Sequence, residues 1–309
     1  MGSDQPITAY DVAVPEKQKQ NLPGLDRKIE PGLEYSRLEE WDEEGNPHLV
    51  EYQGAGKLKN KAIIVTGGDS GIGRATAIAF AREGASGITI TYLPEEEADA
   101  RDAKKDIEAS GAKVVTVKVD LINEADCKRV VDEHVKAFGR VDVLVNNASK
   151  QVINSDFATI DLQEVHNTFQ ANILQMLTTT KYALPHMKRG SAIINTTSVT
   201  AYKGSASLID YSSTKGAIMT FTRSLALQLA PKGIRVNAVA PGVVITALQA
   251  GSRGAEDMEG LGVGIPLLNR GAQPAEMAPT YVYLASARDS NFMTGAVLHI
   301  NGGQHVGGS

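Results

Sequence analysis

The 309-residue chain has one cysteine, Cys127, one tryptophan and six histidines scattered along its length. A single cysteine excludes an internal disulfide framework and a cysteine-built metal site, and with the histidines dispersed no metal is expected. No apolar stretch approaches the ~18 residues of a transmembrane helix, so no membrane partner is expected. Neither sign of charge dominates: 31 Lys and Arg stand against 36 Asp and Glu, a formal net charge of −5. That balance argues against non-specific nucleic-acid binding. The first residues lack the basic-then-apolar pattern of a signal peptide, and a cytoplasmic, reducing setting is the expectation. What remains is 42% hydrophobic and 22% charged, an ordinary globular composition with ample core material.

Residues 1–56 stand apart. They hold Pro6, Pro15, Pro23, Pro31 and Pro47, five of the twelve prolines, and no helix or strand period persists there. Yet Leu22, Leu25, Ile29, Leu33, Tyr35, Leu38 and Trp41 are many apolar residues for a free tail. An extended arm along the globular body, or against a neighbouring subunit, is expected. From Lys57 the pattern changes. Short apolar runs at 61–66, 87–92, 113–118, 141–145, 191–197, 234–239 and 296–300 read as strands, and helical stretches separate the first six. In 123–138, Cys127, Val130, Val131, His134, Val135 and Phe138 share one helix face, with Asn123 as the expected N-cap. Alternating strands and helices predict a doubly wound parallel α/β sheet over 57–309, with helices on both faces.

In such sheets ligands bind beyond the carboxyl ends of the strands, where small, polar and glycine residues collect here. The first strand runs into Thr66-Gly67-Gly68-Asp69-Ser70-Gly71-Ile72-Gly73 and then a helix. Glycines let the backbone approach a pyrophosphate, and the helix N-terminus offers free N–H groups. An ordinary strand-to-helix turn is the blander reading. Tyr211 and Lys215, four residues apart, share a helix face. A neighbouring ammonium is expected to lower the phenol's pKa and tune it as a proton donor or acceptor. Ser198 precedes the pair at a strand end. Asn172 lies on or beside the apolar face of the helix expected over 162–177, either as a satisfied structural amide or as a link in a proton relay.

Together, Thr66-Gly-x-x-x-Gly-Ile-Gly73, Asn146-Asn-Ala-Ser149, Asn172, Ser198, Tyr211-x-x-x-Lys215, Arg235-Val-Asn237 and Pro241-Gly242 resemble the short-chain dehydrogenase/reductase family. The likeness is to the subgroup of glucose/ribitol dehydrogenase-like oxidoreductases with an N-terminal extension. It implies a Rossmann fold, an NAD(P)(H) cofactor, a small carbonyl or secondary-alcohol substrate, and a homotetramer. Tyr211 would be the general acid or base and Lys215 would lower its pKa and hold the nicotinamide ribose. Ser198 would bind the substrate oxygen and Asn172 a relay water. Gly67, Asp69, Ser70, Gly71, Ile72 and Gly73 would lie along the cofactor. So would Tyr92, Asp120, Leu121, Asn147, Ala148, Pro241, Gly242, Val244 and Thr246.

Two departures stand out. Ser149 replaces a common glycine. Tyr92 ends the second strand where NAD-preferring members carry an acid for the ribose 2′-hydroxyl. NADP(H) is therefore expected to be preferred, with NAD(H) possible because no arginine stands beside Tyr92. A non-redox isomerase, epimerase or dehydratase on the same fold, or a cofactor-sensing protein, are the alternatives. His134 and Cys127 read as core, His166 as surface or packing, and Glu95, Glu96 and Glu97 as a solvated helix start. The stretch 216–230 is apolar around most of its helix, a candidate for burial by another subunit.

Overall fold

A computed structural model describes residues 6–11 and 14–307. Two short strands of the N-terminal arm, β1 (Arg37–Trp41) and β2 (Pro47–Glu51), pair as an antiparallel hairpin. The sequence shows no strand period there. The hairpin's faces are mixed because Glu39 turns inward to Arg270 of the body at 3.2 Å, with both side chains buried. That breaks the apolar–polar alternation by which a half-buried strand is recognised.

Seven further strands follow: β3 (Ala62–Val65), β4 (Gly87–Tyr92), β5 (Lys113–Lys118), β6 (Val143–Asn146), β7 (Ala192–Thr196), β8 (Arg235–Pro241) and β9 (Val297–Ile300). They form one parallel sheet in the order β5-β4-β3-β6-β7-β8-β9. The order reverses between β3 and β6, the crevice where such sheets bind ligands. The helices are α1 (Gly71–Arg82), α2 (Glu97–Ala109), α3 (Glu124–Phe138), α4 (Leu162–Phe169), α5 (Gln175–Ala183), α6 (Thr200–Lys203), α7 (Ile209–Leu229), α8 (Ala247–Ser252), α9 (Ala255–Met258), α10 (Pro274–Ala285) and α11 (Ala287–Ser290).

Neighbouring residues of the central strand face opposite ways, as the two-residue strand period requires. Ile63 and Val65 join the core under α1, α2 and α10, whereas Ile64 joins the one under α3, α5 and α7. This is why the strands read as continuous apolar runs.

Gly139 closes α3 with φ 77°, its N–H donating to the Val135 carbonyl at 2.7 Å. Asn123 occupies the N-cap position of α3 but makes no side-chain cap bond; its amide donates to the Asp120 carbonyl at 3.3 Å instead. The helix expected over 162–177 is not continuous α-helix. A π turn, Gln170–Leu174, joins α4 to α5. His134 is a buried core residue, bonded through Nδ1 to the Thr89 hydroxyl at 2.7 Å and through Nε2 to the Arg140 carbonyl at 3.0 Å. Burial pushes its pKa down to about 4.

Candidate active site

A cleft of about 620 Å³ opens at the carboxyl edge of the sheet, over the reversal between β3 and β6. The β3–α1 loop contributes Gly67, Asp69, Ser70, Gly71 and Ile72. Tyr92 ends β4 and Leu93–Glu96 follow it, Asp120 and Leu121 lie beyond β5, and Asn147–Lys150 follow β6. Ser198, Tyr211 and Lys215 form the far end, closed by Pro241, Gly242, Val244 and Thr246–Gln249. Of the residues expected at the site, Gly73 and Asn172 do not line the cleft; they stand behind it.

The glycine loop is held from below. The Thr66 hydroxyl accepts the Asn147 N–H at 2.9 Å and the Ala148 N–H at 3.1 Å, tying the ends of β3 and β6 together. Gly67 (φ 61°) and Gly71 (φ 48°) adopt the left-handed backbone that glycine tolerates best. Gly73 serves packing: a Cβ there would sit 1.9 Å from the Gly67 carbonyl oxygen. Small residues thus leave the N-terminus of α1 open to the cleft, and its positive dipole end suits a pyrophosphate.

At the other end α7 places Tyr211 and Lys215 one turn apart. The Lys215 Nζ lies 5.1 Å from the Tyr211 ring centroid and donates to the Thr196 carbonyl at 3.1 Å. Burial pushes the Lys215 ammonium down to about 7. The expected lowering of Tyr211 by Lys215 is not what the geometry gives. Burial pushes the phenol up to about 12, opposed by a hydrogen bond with Ser198 and by the charge of Arg253. The cause is desolvation: a phenolate inside the protein loses more hydration than its neighbours return. The Ser198 hydroxyl also accepts the Thr200 N–H and its hydroxyl, each at 3.1 Å, which fixes its orientation.

Asn172 sits in the π turn, fully buried. Its Nδ2 donates to the Lys150 carbonyl at 2.8 Å and the Thr214 hydroxyl at 3.1 Å. Its Oδ1 accepts the Lys150 N–H at 2.6 Å and the Ser149 hydroxyl at 3.2 Å. The side-chain amide is therefore saturated by protein partners, and a water on it would have to displace one of them. Ser149, the departure from glycine, is one of those partners.

The edge near Tyr92 is more acidic than the sequence suggested. The Tyr92 hydroxyl donates to Glu97 at 3.2 Å. Glu96, read as part of a solvated helix start, is buried, and its carboxylate accepts the Leu93 N–H at 2.8 Å. Burial raises Glu96 to about 7 and raises buried Asp69 as well, each also pushed up by neighbouring acids. Lys150 and Lys215 are the only cations lining the cleft among the described residues, and no cation lines the stretch Tyr92–Glu96.

Sequence reasoning missed Leu22 and Pro23 of the arm, which also line the cleft. It missed Asp26 too, whose carboxylate reaches the Gly71 N–H. The excess of apolar residues in the arm was the only signal that could have found them.

Residues 67–305 match the family model described as Enoyl-(Acyl carrier protein) reductase. NADPH-dependent aldehyde reductase 1 of Arabidopsis thaliana is 47% identical over 297 residues, 94% of this chain and 98% of that protein. Glucose and ribitol dehydrogenase of Daucus carota is 43% identical over 301 residues, covering 95% and 98%. A short-chain dehydrogenase of Burkholderia cenocepacia, solved in complex with NADP, superposes with a TM-score of 0.73 at 28% identity, over 80% of this chain and 98% of that one. The NADH-dependent reductase A1-R′, complexed with NAD, gives 0.71 at 29% identity, over 82% and 99%. The chain belongs to the short-chain dehydrogenase/reductase family of oxidoreductases.

Proposed function

We propose that the protein transfers hydride between NADP(H), preferred over NAD(H), and a small carbonyl compound or secondary alcohol, with Tyr211 as the general acid or base. The observation that carries this reading is the Ser198–Tyr211–Lys215 set, buried at the end of the same cleft that begins at the glycine loop. Ser70 and Ile72, on either side of the Gly71 N–H that Asp26 takes, fit the pyrophosphate at the start of α1, and Thr246 and Val244 border the nicotinamide end. When bound, the nicotinamide supplies or accepts the hydride.

The residues of the chain do the rest. The Tyr211 hydroxyl, beside Ser198 at the end of the cleft, is placed to give a proton to a carbonyl oxygen in reduction or to take one from an alcohol in oxidation. Ser198 offers a second hydroxyl to that oxygen and helps the developing alkoxide. Lys215, poised near neutrality and bonded to the Thr196 carbonyl, holds the ribose and can return a proton toward Tyr211. Asn172 acts by bracing the Lys150 backbone against α7.

Three observations support the cofactor preference. Tyr92 puts no carboxylate at the strand end itself, burial holds Glu96 and Asp69 toward their neutral forms, and one relative is named as NADPH-dependent. We also propose a homotetramer. Leu227 on α7 and Leu174 and Leu177 around α5 present exposed apolar side chains that a second copy would cover; light scattering tests it, and a monomer refutes it.

The decisive experiment follows NADPH and NADH consumption against a panel of aldehydes and ketones, and reduction of both cofactors against alcohols and polyols. Turnover that consumes NADPH faster than NADH is expected. Absence of any redox turnover, alongside isomerisation or dehydration of a panel member, would overturn the reading.

A further inference from the structure

One buried carboxylate of the arm ties together the two walls of the cleft. Asp26 is 4% exposed and lies 45 residues before Gly71 and 221 before Ala247. Its Oδ2 accepts the Gly71 N–H at 2.6 Å, at the first residue of α1. Its Oδ1 accepts the Ala247 N–H at 3.2 Å, at the first residue of α8. The Tyr35 hydroxyl donates to Oδ2 at 2.5 Å, and the Asp26 N–H donates to Asp99 of α2 at 2.7 Å. One side chain thus joins the glycine loop to the segment after β8, the two walls that face each other across the cleft.

The backbone around it is fitted to α8. Gly24 lies so close that a Cβ would stand 2.4 Å from the Ala247 carbonyl oxygen. The Gln20 N–H donates to the Ala250 carbonyl at 2.9 Å, and Ile29 packs with Ala250 and Met258. Leu22 and Pro23 then complete the cleft wall beside Ala247 and Leu248. A short helix of six residues has little stability of its own, so contacts of this kind decide whether α8 is ordered.

We propose that Asp26 is a positioning residue for cofactor binding: by bridging the N–H groups of Gly71 and Ala247 it sets the width of the cleft and orders α8 before the dinucleotide enters. This rests on the oxidoreductase reading above. Removing the carboxylate leaves two buried N–H groups without a partner, and a cleft that must be ordered by the ligand binds it more weakly.

The test uses the full-length chain, with Asp26→Ala and the near-isosteric Asp26→Asn, whose amide cannot serve three donors. Dissociation constants of NADPH and NADH are measured by fluorescence titration, hydrogen exchange of residues 247–252 is measured without cofactor, and KM for cofactor is separated from kcat. We expect Kd and cofactor KM to rise about tenfold, exchange in 247–252 to accelerate, and kcat at saturating cofactor to stay within about twofold. If the alanine variant does not fold, the asparagine variant carries the same expectations. Tight wild-type binding with unchanged Kd and unchanged exchange in the folded variants overturns this inference alone. A wild-type protein that binds neither cofactor overturns the oxidoreductase reading, and this inference with it.

Discussion

The two ends of the cleft are built on opposite principles. At the end with Tyr211, a few groups are buried among strands and each is held by a named partner: Lys215 by the Thr196 carbonyl, Ser198 by Thr200. At the end with Tyr92, acids crowd together. Glu96, Asp69, Asp26 and Asp99 are all buried, each pushed up by desolvation and by at least one neighbouring acid, except Asp99, where desolvation alone raises it. The first arrangement fixes where a proton sits. The second leaves charge adjustable at Glu96 and Asp69, which repel each other and have no cation from Tyr92 to Glu96 beside them, while Arg74 and Arg27 oppose the rise at Asp99.

The sharpest way to break this contrast is at Tyr211. Tyr211→Phe removes the transferable proton with little change in volume. Turnover should fall by ~2–4 powers of ten while cofactor titration stays nearly unchanged. Near wild-type kcat on a confirmed substrate would show that this end does not control the proton.

A smaller effect is expected from Tyr92→Asp. A carboxylate at the end of β4 can bind a ribose 2′-hydroxyl and repel a 2′-phosphate. The ratio of NADPH to NADH affinity should fall by about tenfold, or ~1.4 kcal/mol. Paired titrations check it, and a ratio that rises would place the phosphate elsewhere.

The smallest effect is a pH dependence. Glu96 has a folded pKa raised to about 7, so it is neutral below that and charged above. NADPH affinity should weaken by up to about tenfold from pH 6 to 8, the limit for a single group being tenfold per unit. NADH affinity should change less, and Glu96→Gln should flatten the NADPH curve. The linked stability has the same sign. The folded state holds a proton that the unfolded chain has already released, so stability declines as pH rises from the ordinary carboxylate range to about 7, then levels. Thermal melts of wild type and Glu96→Gln across that window measure it; equal slopes would show that Glu96 is not the titrating group.

What was legible in the chain follows the same division. Tyr211 and Lys215 are four residues apart, so helix geometry alone brings them together. The strands were readable because burial on both faces writes an unbroken apolar run. Glu96 was misread because a charged run before a helix normally faces water; here the Glu96 carboxylate turns back to the Leu93 N–H. The raised pKa of Tyr211 was not legible, since desolvation depends on what surrounds the ring and not on its neighbour at four residues. Asp26 reaches Gly71 and Ala247, and Glu39 reaches Arg270, all more than 40 residues away, and a lone sequence carries no periodic trace of such pairings.

The π turn at Gln170–Leu174 holds one residue more than an uninterrupted α-helix would. An inserted residue turns everything after it by about 100° around the axis, the angle of one step in a helix of 3.6 residues. Excising one residue from the turn would let α4 and α5 fuse into a single regular rod, but would swing either Asn172 away from Thr214 or Met176 out of its packing with Ile218. The length of this short stretch is therefore as constrained as its composition: a single-codon deletion here should do more harm than most substitutions at its exposed positions.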